Sequence, residues 1–332
     1  MKKNLIKYLF CPNCRKDLCL TDCNNGNEIT TGLLNCLNCN ESYPITNGVP
    51  IFVKNFTNSN DKLKLTAQNF AYSWQTFSRT NKDFYYKQFF DWINPVNEEF
   101  LKGKIVLDAG CGKGHHLLII SDFVKEAIGV DISDSVFVAY NHTKHLPNIH
   151  IIKADLNHLP LKDELFDYIY SIGVVHHTES PQVTTKNILQ KVKKAGVASL
   201  WVYGRENNGW IIYLVDPARK YISTHFPLFL IHGIAAFLAM LLYPILKIIY
   251  LPVSRFKILQ VVRKWLFYYQ YLSYISRFDF IEIKNIIFDH LVAPISHYLT
   301  KQEVEDLTNS HSSKVKIEWH NQNSWRVLMH KS

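Results

Sequence analysis

"VLDAGCGKGHH" (residues 106–116) decides how this chain reads. An apolar run stops at Asp108, glycines follow at 110, 112 and 114, and two histidines close the stretch. The pattern is a buried strand that enters a tight turn and opens a helix. A nicotinamide or flavin fingerprint needs a third glycine three places after the second. That place holds His115, so the fingerprint fails. Asp108 is a second objection, because a carboxylate beside a pyrophosphate repels it. No Lys-Ser or Lys-Thr pair follows the glycines, which excludes a nucleoside-triphosphate loop. The ligand therefore tolerates an acid and needs no phosphate pocket. A nucleoside with a cationic or zwitterionic tail meets both conditions.

The residues around this turn alternate between strand and helix patterns. "KIVLDAG" (104–110), "EAIGVDIS" (126–133), "NIHIIKADL" (148–156), "LFDYIYSIGVV" (165–175) and "VASLWVYG" (197–204) read as strands. "HHLLIISDFV", "SVFVAYNHTKHL" and "SPQVTTKNILQKVKKAG" read as helices between them. Such alternation builds a parallel sheet with covering helices. Ligands of these sheets gather at the carboxyl ends of the strands, where Asp108, Asp131, Asp155 and Ser171 fall. Asp131 stands 21 residues beyond Gly110 and is placed to accept from ribose hydroxyls. Asp155 is placed to accept from an exocyclic adenine amine, with Ile132 and Leu156 on either side of the ring.

With "GVDIS", "KADLNHLP" and "FDYIYSIGVVHHT" added to the glycine turn, the chain resembles the class I S-adenosylmethionine-dependent methyltransferases. The resemblance is close from about 100 to 204 and resumes in "KVKIEWHNQNSWRVLMH", similar to strands six and seven of that fold. It implies a Rossmann-like seven-stranded α/β sheet with an antiparallel last strand. It also implies that Asp108, Gly110, Cys111, Gly112 and Gly114 surround the methionine portion of S-adenosylmethionine. Asp131 would hold the ribose, Asp155 with Leu156 the adenine, and Ser171 with Ile172 would line the cofactor near the methyl group. His115 departs from the Arg frequent in such relatives. Methyl transfer from a sulfonium needs chiefly alignment and exclusion of water. A hydroxyl acceptor would also need a base, for which His176 and His177 stand in place after the fourth strand.

Before the sheet, residues 1–55 carry "CPNC" (Cys11, Cys14) and "CLNC" (Cys36, Cys39). Two such knuckles offer four thiolates to one tetrahedral zinc, and a segment this short needs metal to fold. Sulfur fills every position, so the zinc is structural. Cys19 and Cys23 are read as spare thiols. The module, with "YPITNGVPIF" after its second knuckle, resembles the small zinc-binding domain that acts alone as an activator of RNA methyltransferases. Residues 56–100 read as a linker followed by an aromatic-rich helical cap, in which Tyr72, Trp74, Phe77 and Arg79 are the residues of interest.

The chain of 332 residues carries a formal net charge of +9, and its basic residues are unevenly placed. Between Asp216 and Asp279 there is no acidic residue, and residues 221–246 bear no formal charge. The domain reading is thus a zinc module (1–55), the linker and cap (56–100), core strands one to five (101–204), a helical insertion (205–310) and strands six and seven (311–332). A single membrane crossing by the insertion would separate strands of one sheet. Its helices are expected to bury their apolar faces over the active site or at a homodimer contact, or to lie peripherally on a membrane. The leading expectation is methylation, at oxygen, nitrogen or carbon, of a small-molecule, sugar-linked or lipid-like biosynthetic intermediate. The alternative is an RNA base methyltransferase whose zinc module holds nucleic acid, a partner ranked lower because the insertion is greasy. No export signal is legible at the start, which points to a cytoplasmic location, with the inner membrane face as a variant.

Overall fold

The computed structural model describes residues 1–23, 28–53, 61–77, 82–308 and 312–331. The front module is a four-stranded antiparallel sheet of β1 (Cys19–Thr21), β2 (Gly32–Asn35), β3 (Ser42–Thr46) and β4 (Val49–Pro50). It is docked rather than tethered. Ile51 continues β4 as a parallel bridge to Lys153, and Phe10 N and Lys162 N exchange hydrogen bonds with Pro160 O and Tyr8 O at 3.0 Å each. Leu5, Leu9, Ile29, Leu34 and Phe52 of the module share one apolar core with Leu107, Ile128 and Ile152 of the main sheet. The expected linker lies partly outside the described residues, and the chain is helical again from Asp61.

Three helices follow: α1 (Asp61–Thr76), α2 (Lys82–Trp92) and α3 (Glu98–Leu101). The last is capped by Asn97, whose side chain accepts from Phe100 N at 2.9 Å. The main sheet then begins with β5 (Ile105–Ala109), α4 (His115–Ile120), β6 (Glu126–Asp131), α5 (Ser135–Thr143), β7 (Ile149–Lys153), β8 (Phe166–Ile172), α6 (Pro181–Lys191) and β9 (Val192–Tyr203). After the insertion come α12 (Lys301–Thr308), β10 (Ser312–His320) and β11 (Ser324–Lys331). The strand order is β10-β11-β9-β8-β5-β6-β7, with β11 antiparallel to both of its neighbours. This is the expected seven-stranded, Rossmann-like α/β methyltransferase sheet.

Both faces of the sheet are covered, so its strands read as unbroken apolar runs. Leu107, Ala109, Ile128 and Val130 face the core shared with the module. Val106, Ala127 and Ile149 face the core built with α2, α4 and α5. One boundary differs from expectation. The helix read through residue 196 stops at Lys191, and the chain becomes strand at Val192, fully buried and paired with Phe166. Burial of a β-branched side chain in the sheet outweighs the helical pattern of the lysines around it.

The insertion holds α7 (Asp216–His225), α8 (Leu228–Ile245), α9 (Leu251–Arg255), α10 (Tyr269–Ile275) and α11 (Phe280–Val292). It packs on itself and on α1. Phe288 of α11 meets Ile231 and Ala235 of α8, and Asn69 of α1 donates to Val292 O at 2.7 Å. The continuous helical stretch Leu228–Arg255 is long and apolar enough to cross a membrane, yet both flanks of the insertion belong to one sheet. Burial of its apolar faces is only partial, since Phe229, Phe237, Met240 and Ile248 are exposed. The side carrying Ile231, Ala235 and Ala239 is fully buried, and Leu228, Ile234, Leu242 and Tyr243 pack beside it.

Phe89 of α2 is fully buried, with its ring 5.2 Å from Tyr170 and 5.0 Å from His116. Phe89→Ala should destabilise the fold by about 3–5 kcal/mol. Chemical unfolding followed by tryptophan fluorescence measures this, and a loss under about 1 kcal/mol would mean that α2 is not anchored as described.

Candidate active site

The glycine turn is held by the strand beside it. Gly110 N and Cys111 N both donate to Val130 O, at 2.8 and 2.9 Å. Gly110 sits at φ +96°, and a Cβ there would come within 2.2 Å of Val174, so only glycine fits. Gly112 N donates to Asp131 Oδ2 at 3.0 Å. The other carboxylate oxygen of Asp131 accepts from Ser133 N at 2.9 Å and from Ser133 Oγ at 2.7 Å. Asp131 therefore ties the turn after β5 to the end of β6.

Above these strand ends lies a chamber of about 320 Å³. Of the residues expected to bind cofactor, Gly110, Cys111, Gly112, Asp131, Ile132, Asp155, Leu156 and Ile172 line it. Asp108, Gly114 and Ser171 stand behind its wall. Asp108 is buried under the turn and accepts from the Tyr170 hydroxyl at 3.0 Å. Burial drives its carboxyl up to about 8, against the opposing effect of that hydrogen bond. Gly114 caps α4 in the left-handed region, and Ser171 Oγ donates to Ala109 O at 2.7 Å. Cys111 is buried, and burial pushes its thiol well above the ordinary range, so it is no nucleophile.

The fit to an adenosyl cofactor can be tested on the residues themselves. Asp131 and Asp155 offer carboxylates to hydroxyls and an amine, and Ile132 and Leu156 offer apolar faces. His115 and His116 also line the chamber, and His115 Nδ1 and His116 Nε2 are buried without a hydrogen-bond partner among the described residues. Burial holds the His116 imidazole down at about 3, so the ring is neutral. The set suits a nucleoside with a polar amino-acid tail, and it offers no nest for a diphosphate.

The chamber continues past β8 toward β9 and β11. His177 lines this end, while His176 is fully buried behind it, 4.0 Å ring to ring from Tyr203. His177 Nδ1 faces Ile295 O at 2.6 Å, and a carbonyl can only accept, so Nδ1 carries the proton. Burial holds the His177 imidazole down at about 3. Trp201, Tyr203, Tyr271, Tyr274 and Trp92 supply aromatic walls, with Asn321 and Asn323 between them. The sequence reading missed all of these.

Cap and insertion close the roof. Trp74 lines the chamber, whereas Tyr72 and Phe77 pack against Phe288, and Arg79 lies outside the described residues. Ser73 Oγ donates to Asp289 Oδ1 at 2.6 Å, and the Tyr85 hydroxyl donates to Glu282 at 2.8 Å. Lys113 Nζ donates to Phe77 O at 2.9 Å and lies over the Trp74 ring. Burial raises the Asp289 carboxyl to about 7, with Ser73 and Lys113 opposing. A signal for this roof exists in the sequence. Glu282, Asn285 and Asp289 recur at helical spacing on an otherwise apolar helix, which marks a polar stripe facing an interior.

The four knuckle cysteines converge. Their sulfur atoms all lie within 4.8 Å of one another, with Cys14 and Cys36 at 3.3 Å and Cys11 and Cys39 at 3.6 Å. Tetrahedral thiolates on one zinc stand ~3.8 Å apart, so the cluster is able to hold a metal. Both knuckles share one backbone pattern. Cys11 N donates to Lys16 O and Cys36 N donates to Glu41 O, each at 2.8 Å. Cys19 is exposed and stays outside the cluster.

Residues 107–200 match the family described as a methyltransferase domain. Together with the sheet order, this makes the centre of the chain a class I S-adenosylmethionine-dependent methyltransferase domain. A tRNA U34 carboxymethyltransferase of Pseudoalteromonas atlantica is 32% identical over 114 residues, covering 32% of this chain and 35% of the relative. The Saccharomyces cerevisiae tRNA (carboxymethyluridine(34)-5-O)-methyltransferase is 34% identical over 119 residues, covering 34% of this chain and 41% of that one. Among solved structures, a Pyrococcus horikoshii OT3 protein matches at TM-score 0.42 and 17% identity, over 74% of this chain and 91% of that one. The chain thus spans only about a third of the length of the curated relatives it matches.

These relatives overturn two expectations. Ranking a small-molecule, sugar-linked or lipid-like acceptor first was wrong, since the curated relatives are named for tRNA. The partner list falls with it, including the lipid-like acceptor, the homodimer and membrane contacts, and the low place of nucleic acid. The error came from weighing the apolar insertion above the front module.

Asp108 binds a proton more tightly in the folded chain than in the unfolded one. A raised carboxyl contributes stability at low pH that is lost as pH climbs from 3.8 to about 8. Asp108→Asn keeps an acceptor for Tyr170 without the titrating charge. The unfolding free energy of this variant relative to the parent should rise steadily across that window. Denaturant melts at several pH values measure it, and a flat difference would show that Asp108 does not titrate as described.

Proposed function

We propose that this chain is an RNA-modifying, S-adenosylmethionine-dependent methyltransferase whose acceptor is a uridine of transfer RNA. The observation that carries this is the second end of the chamber. Adenosine-holding carboxylates stand at β6 and β7, and an aromatic box stands at β9, about three strand spacings or ~14 Å across. A planar base laid among Trp201, Tyr203 and Tyr271 would meet the reactive end of a cofactor lying along the glycine turn. The names of the relatives supply the base and the RNA, and the chamber supports a substrate of that shape.

The cofactor, when bound, supplies a methyl group already activated on a sulfonium. What remains for the protein is binding, orientation and exclusion of water. Asp131 and Asp155 would hold the adenosyl portion, and His116 the amino-acid tail. Of the two histidines, we assign the acceptor contact to His177, because it lines the chamber and His176 does not. With Nδ1–H committed to Ile295 O, its Nε2 can accept a hydrogen bond and orient the acceptor. Its lowered basicity suits orientation better than proton removal. His176 is assigned the packing of Tyr203.

The cysteine cluster is read as a zinc site, and the module around it as a built-in counterpart of the activator domain that it resembles. Exposed Lys3 and Lys16, beside Lys7 and Arg15 that pair with Glu126 and Asp163, would give it a phosphate-facing surface. We further propose a cytoplasmic location, where a transfer RNA substrate would be met.

Purified protein with methyl-labelled cofactor should label a tRNA pool, and nucleoside analysis should place the label on uridine. Label confined to small molecules of a cell extract would refute the proposal. Metal analysis should find a single zinc per chain. Strong chelation should then lower the melting temperature, as should Cys36→Ser, and zinc-free protein of unchanged stability would remove the site.

A further inference from the structure

We propose that the aromatic end of the chamber reads the Watson–Crick edge of one nucleobase, so the substrate uridine must be unpaired and turned out of its stack. This rests on the RNA reading above and names how that substrate is recognised. Two buried polar atoms carry it. Trp201 Nε1, a donor, and Asn323 Oδ1, an acceptor, both belong to residues lining this end, and neither has a hydrogen-bond partner among the described residues. Buried polar atoms are nearly always paired, so two orphans on residues that line one cavity mark where a ligand completes them.

Their placement is prepared by the fold. Trp201 is the penultimate outward position of β9, and Asn323 ends the turn that joins β10 to β11. Asn321 and Gln322 of that turn both lie in the left-handed region, at φ 49° and 60°, and Asn323 N donates back to His320 O at 3.1 Å. The insertion then locks the turn. Asn207 Nδ2 donates to Gln322 O, and Gln270 N donates to Gln322 Oε1, each at 3.2 Å. The Asn323 side chain hydrogen-bonds the Tyr268 hydroxyl, which in turn donates to Asn208. Since Asn323 Oδ1 has no partner among the described residues, its amide nitrogen makes that bond and the oxygen stays available.

A donor and an acceptor on residues that line one end of the chamber match a planar edge that offers an acceptor and a donor. Uracil presents this pair in a ring carbonyl next to N3–H. Trp92, 5.2 Å from Trp201, and Tyr203, 5.6 Å from it, offer flat apolar surfaces for the ring itself. In a duplex that edge is already taken by the opposing strand, so the base has to leave the helix before it can be read. A hydrocarbon acceptor would leave both atoms orphaned.

The test uses the full chain loaded with S-adenosylhomocysteine, titrated with uridine and with N3-methyluridine. The parent should bind uridine about tenfold or more tightly than its N3-methyl form. Trp201→Phe should weaken uridine by about tenfold while keeping that preference. Asn323→Leu should abolish the preference, a change that a merely structural role would not produce. Label transfer should also fail when a substrate RNA is annealed to its complement. Equal binding of the two nucleosides by the parent, or undiminished labelling of annealed RNA, would overturn the inference even if tRNA is methylated. Selective uridine binding with no labelled tRNA would instead uphold the edge reading and refute the transfer RNA proposal.

Discussion

The carboxylate of Asp131 is the joint on which the rest of the site depends. It sits at the end of β6 and accepts from Gly112 N, Ser133 N and Ser133 Oγ. The first of these bonds fixes the glycine turn across the crevice between β5 and β6, and the other two fix the start of α5. Bonds from backbone N–H groups to a charged acceptor are stronger than neutral ones, so one side chain pre-organises both edges of the cradle. The turn needs this support, because three glycines in positive φ would otherwise leave it loose.

The cradle alone would be open to water. Its closure comes from α1 and α11, which the chain separates by some two hundred residues and which meet through Ser73, Asn69 and Asp289. From the insertion the chain passes through α12 to the edge strand β10, and the turn at 321–323 then brings β11 back against β9. Core and insertion thus share one chamber, with the glycine-turn end built by the core and the aromatic end built by both. A truncation that removed the insertion would leave the first end intact and strip Tyr271, Tyr274 and the α11 stripe from the second.

How far this was legible in the sequence follows from how each part is assembled. The sheet was legible because each strand is a short apolar run that ends in a polar residue at a ligand-facing end, a local pattern that tertiary packing does not alter. The metal cluster was legible because both knuckles are contiguous. The aromatic end was not, because it joins β9, residues 271–290 and the turn at 321–323, whose meeting depends on how the insertion folds back. Trp201 and Tyr203 did alternate onto one face at a strand end, and Glu282, Asn285 and Asp289 did form a stripe. Read together they would have shown a second polar-and-aromatic site, and would have weakened the case for a lipid-like acceptor.

Charge explains why such a chamber would accept a base and leave phosphate outside. His115, His116, His177 and His290 all line it, and burial lowers the basicity of each, so they stand neutral at physiological pH. Asp131, Asp155, Glu179, Glu282 and Asp289 line it as well. An interior of neutral rings and carboxylates favours a sulfonium cation and tolerates an uncharged base, but opposes a phosphodiester. The outer surface has the opposite character, with exposed Lys3, Lys7, Arg15 and Lys16 on the module and a formal net charge of +9 over the chain. A polyanion drawn to that surface can send only its uncharged part inward, and for RNA that part is a base.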